Sequence, residues 1–167
     1  MIKKVFKEII IGLVLLFIIS NIISYIRKPD LQNKNIPELN LKDINDKSIN
    51  FIDYKGKPLV LHFWATWCPV CKLELSNINS ISNSKDYKII TIAVNSGDDK
   101  EIKEFMREKD VDFIVINDKD GELSKEFLVK AFPTTIIYDS NGELMFGEVG
   151  YTTTAGLLAR LKLADKK

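Results

Sequence analysis

Cys68 and Cys71 are the only cysteines in a chain of 167 residues, and they stand three apart in Trp67-Cys68-Pro69-Val70-Cys71. Two cysteines cannot build a disulfide framework and supply only half of a tetrahedral zinc site. The spacing reads as a redox couple that opens and closes by thiol-disulfide exchange. The preceding run Leu59-Val60-Leu61-His62-Phe63-Trp64 is nearly continuously apolar, the pattern of a strand buried on both faces. With Cys68 as the cap of the helix that follows, Pro69 falls at the first helical position, where its missing N–H costs nothing. The N–H groups of Val70 and Cys71 then point at the Cys68 sulfur, and the positive end of the helix dipole favours thiolate over thiol. Cys68 is therefore the expected nucleophile and Cys71, one turn in, the resolving thiol.

The stretch Phe63-Trp64-Ala65-Thr66-Trp67-Cys68-Pro69-Val70-Cys71, with Phe132-Pro133-Thr134-Thr135 downstream, resembles the thioredoxin superfamily. The resemblance is closer to its membrane-anchored, TlpA-like thiol-disulfide oxidoreductases, and it covers about residues 36–164 in strand and helix order. It implies an α/β fold, a thioredoxin-like mixed sheet flanked by helices, and an activity that needs no cofactor. It also implies a cis Pro133 lying against the two cysteines, where an ordinary trans proline at a strand start is the alternative. Trp67, Pro69 and Phe132 are expected to contact the substrate, whereas Trp64 is expected in the core.

Two further residues are candidates for moving protons. Glu74 lies on the stripe Val70, Glu74, Ile78, Ile81, which should face the sheet; burial would raise its pKa and let it accept and return the Cys71 proton. It also matches the acidic position of the TlpA-like pattern CxxCxxE. His62, the single histidine, stands where thioredoxins carry a buried Asp and TlpA-like proteins often Asn. It is either a proton shuttle, a cation that makes the couple more oxidising, or a histidine simply packed and hydrogen-bonded in its strand. Two departures bear on redox direction. Proline comes first in Pro69-Val70, and Ser76 stands where the family often has proline.

The elements that must hold these residues can be read along the chain. Ile36 to Phe51 alternates around Asn45-Asp46-Lys47 as an N-terminal β-hairpin, and Tyr54 to Pro58 is a turn. Helices are expected over Val70–Ser82, Asp99–Lys109, Gly121–Lys130 and Thr152–Leu163. Further strands are expected over Tyr87–Val94, Val111–Ile116, Thr134–Tyr138 and Leu144–Val149, the last two joined through Ser140-Asn141-Gly142. Strands alternating with helices and ending in a hairpin imply one domain with helices on both faces of a mixed sheet.

The N-terminus bears on where the chemistry happens. Ile9 to Ile26 is apolar apart from Gly12, Ser20, Asn21 and Ser24, and at about 1.5 Å per residue it just crosses a hydrocarbon core. It reads as a transmembrane helix, with a cleaved signal peptide as the rival; no small-x-small cleavage site follows it. The domain plan is thus a membrane anchor over 1–28, a linker over 29–35 and a thioredoxin-like domain over 36–167. Lys3, Lys4 and Lys7 before the span favour a domain facing the periplasm or cell exterior, held on the cytoplasmic membrane by a single pass. Without residues 1–28 the chain has 19 basic and 22 acidic side chains, a net of −3, so nothing points to nucleic acid.

The expected partners are protein disulfides, among them apocytochrome c or metal-centre cysteines, and a membrane electron donor if the protein is a reductase. Other readings are a copper-binding or metallochaperone module using Cys68, Cys71 and His62, a thiol peroxidase, and a plain docking module. The peroxidase reading is one residue short of Thr-x-x-Cys at Thr66-Trp67-Cys68.

Overall fold

The computed structural model describes residues 11–12 and 34–165. Apart from residues 11–12, the apolar segment Ile9–Ile26 lies outside them. No helix among the described residues is long and apolar enough to cross a membrane.

The chain forms β1 (Asn40–Lys42), β2 (Ser48–Asn50), a 3-10 turn at Phe51–Tyr54, β3 (Leu59–Trp64), α1 (Pro69–Ile81), β4 (Lys88–Val94) and α2 (Asp99–Glu108). It continues through β5 (Val115–Asp118), α3 (Glu122–Glu126), β6 (Thr134–Tyr138), β7 (Leu144–Val149) and α4 (Thr154–Ala164). A five-stranded sheet has the order β5-β4-β3-β6-β7. β3, β4 and β5 run parallel, while β6 and β7 are antiparallel to their neighbours. The apolar run at β3 is central and buried throughout, as a strand covered on both faces must be.

The period-2 alternation of the strands sorts their side chains into two cores. Val60, Trp64, Ile89, Ala93, Val115 and Ile137 pack beneath α1, α2 and α4. Leu61, Phe63, Ile92, Ile136 and Tyr138 face the other way, against Ile36, Ile49, Phe51, Leu123 and Phe127. The expectation of helices on both faces therefore holds unevenly. Three helices share the first face, and the second is closed by the short α3, the 3-10 turn and the N-terminal hairpin. That hairpin, β1 paired with β2, is closed by Asp43, whose carboxylate accepts the N–H groups of Asn45 and Lys47.

Two elements differ from the sequence reading. The strand expected over Val111–Ile116 begins at Val115. Val111 and Phe113 are instead buried in the helical core, and the Asp112 N–H is spent on the Asn79 side chain at 2.8 Å. The helix expected over Gly121–Lys130 stops at Glu126, because Leu128 adopts a left-handed backbone (φ 51°). That stop turns Phe127 inward, where it meets Phe51 and Phe63 at ring separations of 6.2 and 5.5 Å.

Trp64 fixes the end of β3 just before the cysteines. It is fully buried, stacked on Phe105 at 5.7 Å and edge-on to Phe113 at 6.1 Å. Trp64→Ala is expected to lower unfolding stability by about 3–5 kcal/mol, the usual cost of emptying so large a site. Urea denaturation measures it, and a loss below about 1 kcal/mol would mean the site is not packed as described.

Candidate functional site

The site is assembled where β3 gives way to α1. Cys68 has an extended backbone and caps the helix, and Pro69 occupies its first turn. The Cys71 N–H donates to the Cys68 sulfur at 3.2 Å. The two cysteines form a disulfide, with their Cα atoms 5.3 Å apart. Their exposure is unequal: Cys68 retains 5% of its surface and Cys71 none. Of the two, only Cys68 keeps solvent-accessible surface, and attack on a disulfide requires access to the sulfur attacked.

The wall opposite is the loop before β6. The Phe132–Pro133 peptide is cis, the isomer the resemblance implies, and the Phe132 carbonyl oxygen lies 3.7 Å from Cys68 Sγ. Trp67 is 57% exposed and meets the Phe132 ring edge-on at 5.7 Å. Its indole N–H donates to the Asn95 carbonyl at 3.1 Å. Asn95 stands just past the end of β4 in a left-handed conformation (φ 45°) and donates from its side chain to the Lys119 carbonyl. Pro69, Val70 and Leu73 extend the exposed apolar rim along α1. Val70 therefore leaves the stripe assigned to it. The buried face of α1 is Cys71, Glu74, Leu75, Ile78 and Ile81, and Val70 stands about 100° round the helix from Cys71.

Glu74 is fully buried. One carboxylate oxygen accepts the Thr152 N–H at 3.1 Å, and the other has no hydrogen-bond partner among the described residues. Burial pushes its pKa up to about 7, the nearby charge of Glu148 adds to the rise, and the Thr152 N–H opposes it. An acid with that value gives and takes a proton near neutrality, and it lies one turn beyond Cys71.

His62 is also fully buried, on the same sheet face as Val60 and Trp64. Its Nδ1 lies 3.0 Å from the hydroxyl of Thr135, its cross-strand neighbour on β6, and Nε2 has no hydrogen-bond partner among the described residues. Burial lowers its pKa to about 4. The imidazole is thus neutral at pH 7, which removes the reading of a cation tuning the couple. Among the described residues no group of three or more His, Cys, Asp or Glu side chains is placed to hold a metal ion. The trio required by the copper reading is not brought together.

Comparison with known proteins agrees with this geometry. The model of the AhpC/TSA family matches residues 33–146. A thiol-disulfide oxidoreductase, ResA of Bacillus thuringiensis subsp. konkukian, is 32% identical over 131 residues, covering 77% of this chain and 76% of its own. The chain belongs to the AhpC/TSA family and is a TlpA-like member of the thioredoxin superfamily. A thioredoxin-like protein of Haemophilus influenzae is 28% identical over 166 residues, covering 98% of this chain and 97% of its own. Among solved structures, the pneumococcal exposed lipoprotein thioredoxin Etrx1 of Streptococcus pneumoniae is 26% identical. It superposes with a TM-score of 0.67 over 76% of this chain and 99% of its own. The thioredoxin-like fold and the Cys68–Cys71 disulfide make this family member a protein thiol-disulfide oxidoreductase.

The residues that sequence reasoning missed are those that hold the candidates in place. Asn95 carries Trp67, Thr152 reaches Glu74, and Thr135 partners His62. Asn95 left a trace in the turn-forming Asn95-Ser96-Gly97, and Thr135 stands in the Phe132-Pro133-Thr134-Thr135 motif, but neither pattern shows the contact made.

Proposed function

We propose that this protein is an exported, membrane-tethered reductase of protein disulfides. The observation that carries the reading is the graded pair at the head of α1: a reachable Cys68 capped by the Cys71 N–H, a buried Cys71, and a buried acid one turn beyond. Starting from the dithiol, the Cys68 thiolate attacks one sulfur of a client disulfide and the other client sulfur leaves as a thiolate. Cys71 then gives its proton to the Glu74 carboxylate, and its sulfur attacks Cys68 Sγ. The mixed disulfide breaks, Cys68–Cys71 forms, and the client departs with two more electrons. Pro133 shapes the wall beside the sulfurs, and Trp67, Pro69 and Phe132 form the rim on which the client lies.

What surrounds the couple supports the reductase direction. A strong oxidant is one whose dithiol form is stabilised. Here His62 is neutral and the neighbouring titratable group is a carboxyl, so neither adds positive charge to hold a thiolate. Tethering rests on the apolar run Ile9–Ile26, with the anchor over 1–28, the linker over 29–35 and the catalytic domain over 36–167. The similarity to Etrx1, an exposed lipoprotein thioredoxin, supports a domain outside the cytoplasm. Such a reductase draws electrons from a membrane donor. Its clients are protein disulfides, with apocytochrome c and metal-centre cysteines the first to test.

The deciding measurement is the reduction potential of the Cys68–Cys71 couple in the full chain, equilibrated against dithiothreitol buffers. A value at or below about −230 mV is expected, and one near −120 mV would make the protein an oxidant.

A further inference from the structure

Across the face of the sheet covered by α1 and α4 runs a row of polar side chains. Thr91, His62, Thr135 and Glu148 stand opposite one another on β4, β3, β6 and β7. At the end of this row Glu148 forms an ion pair with Arg160 of α4, whose Nε donates to Glu148 Oε1 at 2.7 Å and whose Nη2 lies against the same oxygen. The third guanidinium nitrogen donates to the Gly156 carbonyl at 2.8 Å, so the guanidinium is fixed at both ends. Both side chains are about two-thirds buried. Such a pair is less screened than one on the open surface.

The chain then turns directly from β7 onto Glu74. Gly150 donates to the Pro133 carbonyl, Asn77 of α1 donates to both the Tyr151 hydroxyl and the Thr152 carbonyl, and Thr152 donates to Glu74. One short segment thus ties the ion pair, the cis-proline loop and the buried acid together.

We propose that the Glu148–Arg160 ion pair is a positioning pair for the exchange reaction, setting the pH at which Glu74 can take the proton of Cys71. The inference rests on the role given to Glu74 above. The titratable and charged groups on the elements packed about Glu74 are the cysteines and Lys72 on its own helix, His62 on β3, Glu148 on β7, Tyr151 in the loop and Arg160 on α4. Lys72 faces solvent, His62 is neutral, and Tyr151 is engaged by Asn77. Glu148 and Arg160 remain as the two opposed charges. The Glu148 charge helps hold the proton on Glu74, and Arg160, bound to Glu148 at 2.7 Å, opposes that charge, so removing either is expected to move the balance in a known direction.

The test follows the reduced full chain reacting with an aromatic disulfide whose two thiolates absorb as they leave. The second release reports the step in which Cys71 resolves the mixed disulfide, and its rate is measured from pH 5 to 9. Arg160→Gln is expected to move the midpoint of the rise upward by about 0.5–1 pH unit and Glu148→Gln to move it down by a similar amount. Arg160→Lys and the double variant Glu148→Gln/Arg160→Gln should return near the wild-type midpoint. Two unmoved midpoints, with Glu74→Gln still abolishing the pH step, would overturn the pair's role and leave that of Glu74 standing. A step that survives Glu74→Gln would remove both.

Discussion

Cys71→Ser is expected to trap the protein on its client as a mixed disulfide, while Cys68→Ser captures nothing. Cys68 is the cysteine that keeps solvent-accessible surface, and its sulfur accepts the Cys71 N–H, so it is the expected thiolate that starts exchange. Without a resolving thiol, the bond it forms persists until an outside thiol breaks it. Turnover in either variant should fall by at least about 10³-fold, equivalent to about 4 kcal/mol of barrier. Non-reducing electrophoresis of the variants expressed in cells with an intact membrane reads the adducts, and disulfide-reduction assays read the rate. Equal trapping by both variants would reverse or abolish the assigned order of attack. Loss of all adducts in Cys71→Ser, with the fold intact, would leave the couple without its two-step mechanism.

What was legible in the sequence was what is local to it. The apolar run of β3, the cap at Cys68 and Pro69 at the head of α1 are decided within about a dozen residues, and the structure shows all three. Burial of Glu74 was legible for the same reason, since a helical period places it on the face of Cys71 and Ile78. Val70 was misread because the stripe was carried four residues back from Glu74, whereas the buried face continues three back, to Cys71. Val111 and Phe113 read as strand because β-branched and aromatic residues favour one, yet packing against α1 and α2 uses them as core between elements. Leu128 carries no signal at all, since a left-handed backbone is not a leucine's own preference, and it goes with the inward turn of Phe127. The partners of the site come from 73 and 78 residues away in sequence, Thr135 for His62 and Thr152 for Glu74. No local pattern encodes such contacts; they exist only once the sheet has set its register.

Glu74 and His62 should make opposite contributions to the pH dependence of stability. The Glu74 pKa is about 7 in the fold against an ordinary 4.5, so the folded protein holds a proton that the unfolded chain gives up. Its contribution is full below pH 4.5 and is lost as pH rises to about 7. His62, near 4 against an ordinary 6.5, contributes fully above pH 6.5, and that contribution is lost as pH falls towards 4. Between about pH 4.5 and 6.5 the two slopes oppose each other at similar size, so together they leave the wild type nearly flat. Glu74→Gln removes one slope. The variant should match the wild type in relative terms near pH 4.5, gain with rising pH, and stand on the order of 2–3 kcal/mol ahead at pH 8. Comparing one pair of proteins at several pH values cancels the pH-independent cost of burying an amide. Urea unfolding of the oxidised full chain at pH 4.5, 6.5 and 8 measures the difference, and a constant difference would mean that Glu74 ionises in the fold as it does in water. The same substitution should slow resolution by Cys71. A residue that lowers stability at neutral pH but speeds exchange is placed for its proton and not for packing.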